Sequence, residues 1–148
     1  MVGVGPEGRE SVVARVSIVN FHGQVLLDAY VVPKEPVTDF RTKFSGIRPK
    51  DLRPENGARP LEEVIKDVDR IIKDRILVGH ALDNDLQALL LKHPRSMTRD
   101  TAYYKPFRAL SSGRTPSLKL LAEQFLGVAI QTGEHSSVPW GRRSDGQC

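Results

Sequence analysis

The sequence predicts an α/β domain built on a mixed sheet. Three observations carry that reading. Two runs rich in β-branched residues, "SVVARVSIVN" (Ser11–Asn20) and "VLLDAYVV" (Val25–Val32), flank a short turn. A stripe of apolar residues at helical spacing starts at Leu61. Beyond it, short apolar segments alternate with helical patterns, the alternation that lays helices against a sheet with parallel pairs.

The elements follow in order. "MVGVGPEGRE" reads as a glycine-rich loop, and its "GVGPEG" lacks the preceding strand that a dinucleotide loop requires. The two β-branched runs form a hairpin around "FHGQ", with Gly23 in the turn. Pro33–Pro60 holds five prolines and many charges, which predicts a long irregular connection with one helical turn near Pro49–Leu52. "LEEVIKDVDRIIKDR" (Leu61–Arg75) places Leu61, Val64, Ile65, Val68, Ile71 and Ile72 on one stripe, so it is a helix. "ILVGH" (Ile76–His80) suits a strand buried on both faces. Asp83–Leu91 is helical again with Leu82, Leu86, Leu89 and Leu90 inward, and "SMTRDTA" forms a short strand. "TPSLKLLAEQFLG" is a helix that Thr115 caps, Pro116 opens and Gly127 ends, with Leu118, Leu121, Ala122 and Phe125 as its stripe. The order is β-β-α-β-α-β-α.

A length of 148 residues predicts one domain with room for a core. It spans residues 1–138, and 139–148 read as a disordered tail rich in Gly, Ser and Arg. Lys plus Arg number 22 against 18 for Asp plus Glu. This mild basicity fits a nucleic-acid partner without demanding one. A single cysteine, Cys148, excludes a disulfide within the chain and points to a reducing compartment. The first residues lack the apolar core of a signal peptide, and no run approaches the ~20 apolar residues of a membrane span.

Few side chains stand out as chemical. Asp83 and Asp85 fall where a strand hands over to a helix. Such acids cap helices and complement the dipole. The sharper alternative makes Asp85 a ligand for a divalent cation at the mouth of the sheet, where open α/β sheets bind ligands. His135 reads as a surface histidine in a polar loop, or as a base that takes a proton from water beside a metal. His80 ends an apolar strand and reads as a half-buried ring; His22 and His93 read as structural or solvated. Arg41, Lys43, Arg48 and Lys50 form one basic cluster, and Arg95, Arg99, Lys105, Arg108 and Arg114 another. Tyr103, Tyr104 and Phe107 interleave with the second, a combination that stacks single-stranded bases.

Four stretches carry a family resemblance: "MVGVGPEGRESVVARVSIVN", "VTDFRTKFSGIRP", "RILVGHALDNDLQALLLKHPRSMTRDT" and "SLKLLAEQFLG". Together they resemble the DEDDh 3′–5′ exonucleases, from Met1 to about Val138. The resemblance implies a ribonuclease H-like fold and metal-dependent 3′–5′ hydrolysis of RNA or single-stranded nucleic acid, DNA included. It implies four acids that hold two Mg²⁺ or Mn²⁺ ions and a histidine that acts as general base. On this sequence it assigns Asp85 as a catalytic residue through metal binding, and His135 in "EHSSV" as the general base. It places Met1, His80 and Thr101 near the bound nucleotide. It further implies a monomer working in ribosomal RNA processing in the nucleus and nucleolus.

The sequence also departs from the pattern. The family's first motif is Asp-Cys-Glu-Met, and Met1 matches its last residue. Five residues after His135, where the family has an aspartate, stands Trp140; Asp145 comes ten residues after His135. Three of the four expected acids are absent. The expectation is a fold that lacks the family's first strand and last helix, is marginally stable and aggregation-prone, assembles no metal pair and does not cut nucleic acid by itself. The alternative is a non-catalytic module that binds nucleic acid or a protein.

Overall fold

The structure is a computed structural model that describes residues 1–130. The described residues divide into two compact units, Met1–Asp67 and residues 68–130.

In the first unit, β1 (Val2–Val4) runs where the sequence reads as a loop. The cause is steric. Val2 and Val4 are fully buried, and β1 pairs antiparallel with β2 (Glu10–Val12) on one side and β5 (Val37–Asp39) on the other. A Cβ on Gly3 would lie 2.6 Å from the Gly8 carbonyl oxygen. Gly3 is therefore a close-approach residue inside a strand. The run Ser11–Asn20 is shared between two strands, since β3 is Arg15–Val19. β3 pairs antiparallel with β4 (Val25–Val32), from Arg15 opposite Tyr30 to Val19 opposite Val25, as the hairpin reading predicts. Asn20 organises the turn: its Oδ1 accepts the N–H groups of His22 and Gln24.

The Pro33–Pro60 connection is more regular than predicted. It contributes β5, the short helix α1 (Thr42–Ser45) and β6 (Arg59–Pro60), which runs parallel to the end of β4. A 3₁₀ turn occupies Pro49–Leu52, where one helical turn is expected. The proline density hides β5, whose backbone groups find partners on β1. Val2, Ala14, Ile47 and Leu52 form the buried core of this unit, and Val12, Tyr30, Val37 and Phe40 pack against it. Full burial of each aliphatic side chain is worth ~1.5–3 kcal/mol. α2 (Leu61–Ile72) leads into the second unit with Val64, Val68 and Ile72 buried at helical spacing.

In the second unit, β7 (Leu77–Gly79) pairs in parallel with β8 (Thr98–Asp100), Gly79 opposite Asp100. α3 (Leu82–Ala88) joins them. β7 is not buried on both faces: Val78 is 66% exposed and Ile76 59%. Among the described residues β7 has only one strand neighbour, so the apolar run is not sandwiched as a central strand would be. Leu82 and Leu89 point inward as expected, whereas Leu90, at φ +54°, has left the helix and is exposed.

α4 (Lys105–Ala109) precedes α5 (Leu118–Leu126). Ser117 caps α5 instead of Thr115, its hydroxyl accepting the Leu120 N–H at 3.2 Å. The helix begins at Leu118, two residues past the ring, so Ser117, extended at φ −75° and ψ 151°, is the residue that directly precedes it and is placed to cap. Gly127 closes the helix at φ +62°. Leu121 and Ala122 are buried; Leu118 and Phe125 stay largely exposed, Phe125 lying against Phe107 at 4.7 Å between ring centroids. Among the described residues, no helix is long and apolar enough to cross a membrane.

Candidate nucleic-acid site

The carboxyl ends of β7 and β8 bring together most of the residues that the sequence singles out. Gly79 ends β7, and a Cβ there would meet Leu82 Cδ2 at 2.5 Å. Its lack of a side chain lets the chain fold back sharply into α3. The Gly79 carbonyl accepts both the Thr101 N–H at 2.9 Å and the Thr101 hydroxyl at 3.0 Å.

That hydroxyl fixes the neighbouring histidine. His80 Nδ1 lies 2.9 Å from Thr101 Oγ1. A threonine hydroxyl has one proton to give, and here it goes to Gly79. Oγ1 must then accept from His80, so the network places a proton on Nδ1. His80 is half-buried, as predicted, with a ring of defined polarity.

The start of α3 is held by a residue that sequence reading missed. Neither Asp83 nor Asp85 caps the helix. Asp100, at the end of β8, supplies the acceptors instead: Oδ1 takes the Ala81 N–H at 2.9 Å and Oδ2 the Leu82 N–H at 2.8 Å. Oδ1 also takes the Ala102 N–H at 2.9 Å. Ala81 sits in the left-handed region at φ 58°, ψ 43°, an uncommon conformation for a residue with a side chain. Sequence rules seek a cap within three residues of a helix start. Asp100 is 18 residues away from Leu82 in the chain and reaches it through parallel strand pairing.

Asp85 is thereby released from capping and projects from the first turn of α3. Its side chain is exposed overall, yet protein atoms crowd one side of the carboxylate. That partial loss of water pushes its pKa above the ordinary carboxylate value, and the like charge of Asp100 adds to the rise. Such crowding of two carboxylates is common at functional sites.

Met1 lies in the first unit and is 42% exposed. His135, Trp140, Asp145 and the predicted tail lie outside the described residues. Several basic side chains are engaged within the chain. Arg41 donates to Ser11 Oγ and the Gly8 carbonyl, Arg99 to the Ser96 and Thr98 carbonyls, and Arg108 to the Gly113 carbonyl. Tyr103 and Tyr104, just beyond Thr101, are 52% and 55% exposed.

A family model described as exonuclease, of the RNase T type, matches residues 1–139. The chain belongs to the exonuclease family. Within that family it is 55% identical over 138 residues to RNA exonuclease 4 of Cryptococcus neoformans, and 54% identical over 138 residues to RNA exonuclease 4 of Homo sapiens. Each match covers 93% of this chain, and the chain spans about a third of either relative, 33% and 32%. Among solved structures it is similar to the apo Pan2 pseudoubiquitin hydrolase–RNA exonuclease module of Saccharomyces cerevisiae, with a TM-score of 0.78 and 32% identity over 93% of this chain and 24% of that one. The same module in complex with AAGGAA RNA gives a TM-score of 0.77 and 30% identity over 93% and 25%. The mixed α/β exonuclease fold, ribonuclease H-like, is thus the fold of this chain.

The exonuclease resemblance implies divalent cations, and the described residues can be tested for them. They contain no group of three or more His, Cys, Asp or Glu side chains placed to hold a metal ion. Asp85 is the one implied ligand among them, and the Asp100 carboxylate is committed to three amides. The described residues do not by themselves fit a bimetallic centre, which needs several carboxylates held together.

Proposed function

We propose that this chain is part of a 3′–5′ exonuclease that acts on RNA, and that the carboxyl ends of β7 and β8 receive the nucleic-acid strand. The arrangement of His80 carries the reading. Thr101 holds its ring through Nδ1, at the edge of the sheet where open α/β folds bind ligands. Tyr103 and Tyr104 lie exposed a few residues on, offering faces on which bases stack. The RNA bound to the similar Pan2 module supports the choice of ligand.

Mg²⁺ or Mn²⁺ is the proposed cofactor in this reading, with Asp85 among its ligands. His135 is the proposed base. We further propose work as a monomer in ribosomal RNA processing in the nucleus and nucleolus, the role that the sequence resemblance implies. This chain by itself is expected to hold RNA without shortening it, because, of the four acids that the family resemblance implies, its sequence matches Asp85 alone.

The test uses the purified chain with 5′-labelled single-stranded RNA, with and without Mn²⁺. The expected result is binding that weakens as salt rises, and an RNA of unchanged length. A ladder of shortened products that disappears in Asp85→Ala would overturn the inactivity. No binding at low salt would overturn the RNA reading itself.

A further inference from the structure

We propose that Asp100 is a positioning residue for the nucleic-acid-binding end of β7 and β8, an inference that rests on the reading that this end receives RNA. Its carboxylate joins three amides, those of Ala81, Leu82 and Ala102. Two of these open α3, and the third lies just beyond β8. One side chain therefore ties the end of β8 to the start of the helix that follows β7. Ala81 is the pivot of that tie. Its left-handed backbone is disfavoured for an L-residue, and such a conformation persists only where its surroundings impose it. The Asp100 oxygens on Ala81 N and Leu82 N impose it here. On either side of the pivot stand His80, held by Thr101, and Asp85, one turn into α3. Released from Asp100, Ala81 would relax towards right-handed geometry and turn the α3 start, with Asp85, away from its present direction relative to His80. Asp100 has no need to touch RNA for this; it sets the backbone from which the contacting side chains project.

Charge and position predict opposite outcomes for Asp100→Asn. The substitution removes a negative charge, which alone would tighten binding to a polyanion. It also faces the Leu82 N–H with an amide NH₂, donor against donor, and so breaks the clamp at that oxygen. The probe is a fluorescein-labelled single-stranded RNA followed by anisotropy at low salt without divalent ions, with circular dichroism to verify the fold. The expected result is an affinity about tenfold weaker than the parent chain, the scale of one lost hydrogen bond to a charged group. Ala81→Gly is the second variant. Glycine adopts the positive φ without penalty, so Asp100→Asn/Ala81→Gly recovers most of the lost affinity, and it supplies the comparison if Asp100→Asn alone does not fold.

The outcomes separate cleanly. Binding by Asp100→Asn as tight as the parent's, or tighter, overturns the positioning role while leaving the RNA reading intact. Weak binding that Ala81→Gly does not restore also overturns it, because Asp100 would then act other than through the turn. A parent chain that binds no RNA defeats the RNA reading and this inference with it.

Discussion

The imidazole of His80 and the hydroxyl of Thr101 form a pair with a fixed direction: Nδ1 lies 2.9 Å from Oγ1, and Oγ1 donates its own hydrogen bond to the Gly79 carbonyl. Thr101→Val keeps the shape and removes the relay. The expected result is loss of the single Nδ1–H form of His80, read from its ring ¹⁵N shifts, together with several-fold weaker RNA binding. The urea midpoint should fall by the equivalent of ~1 kcal/mol for the lost partly buried hydrogen bonds. An unchanged ¹⁵N pattern would show that the ring is held by something else.

Arg15 grips Asp28 side-on, Nε to Oδ1 and Nη2 to Oδ2 both at 2.7 Å, and Ser17 adds a third bond at 3.0 Å. The Arg15 hydrogen bonds pull the Asp28 pKa below its ordinary value, against a smaller opposing effect of burial. A carboxylate lowered in the folded state contributes stability that is complete above its unfolded pKa, about 3.9. That stability drains away as pH falls through the lowered native value. Asp28→Asn should therefore cost up to ~1 kcal/mol at pH 7 for this partly exposed pair and much less at pH 2, measured as urea midpoints across that range. Equal losses at both pH values would remove the ion pair from the explanation.

Gly3 tests the unexpected β1. A methyl group there would strike the Gly8 backbone, which no side-chain movement can relieve. Gly3→Ala is expected to cost ~1–3 kcal/mol, the range of overpacking. If residues 2–4 were instead the loop that their composition predicts, alanine would be tolerated with no change in midpoint.

Ser117 and Thr115 separate two caps. Ser117→Ala should lose ~1 kcal/mol through the Leu120 amide. Thr115→Ala should lose almost nothing, and the reverse order would restore the cap that the sequence predicts.

What was legible in the sequence was periodic. The hairpin of β3 with β4, the stripe of α2 at Val64, Val68 and Ile72, and the β7-α3-β8 order all repeat a hydrophobic spacing that survives folding. β1 and β5 were not legible, because each is three residues long and masked by glycine or proline; their pairing with each other is what makes them strands.

The site shows the same limit. His80 and Thr101 came from family resemblance, and the structure sets them in contact. Asp85 stands out in the sequence by its place at a helix start, but the capping role that local rules give it belongs to Asp100. No local rule reaches Asp100, because its bond to Leu82 exists only once the two parallel strands lie in register.

Val78 stands 66% bare on a ladder of just two described strands, with Ile76 beside it. An uncovered greasy ribbon of this kind recruits ribbons from other molecules once warming loosens it. Calorimetric melting should leave turbid samples and an apparent midpoint that drifts with scan rate, so refolding from denaturant is the sounder gauge of equilibrium. Lysine at position 78 should clear the turbidity without altering how the chain refolds.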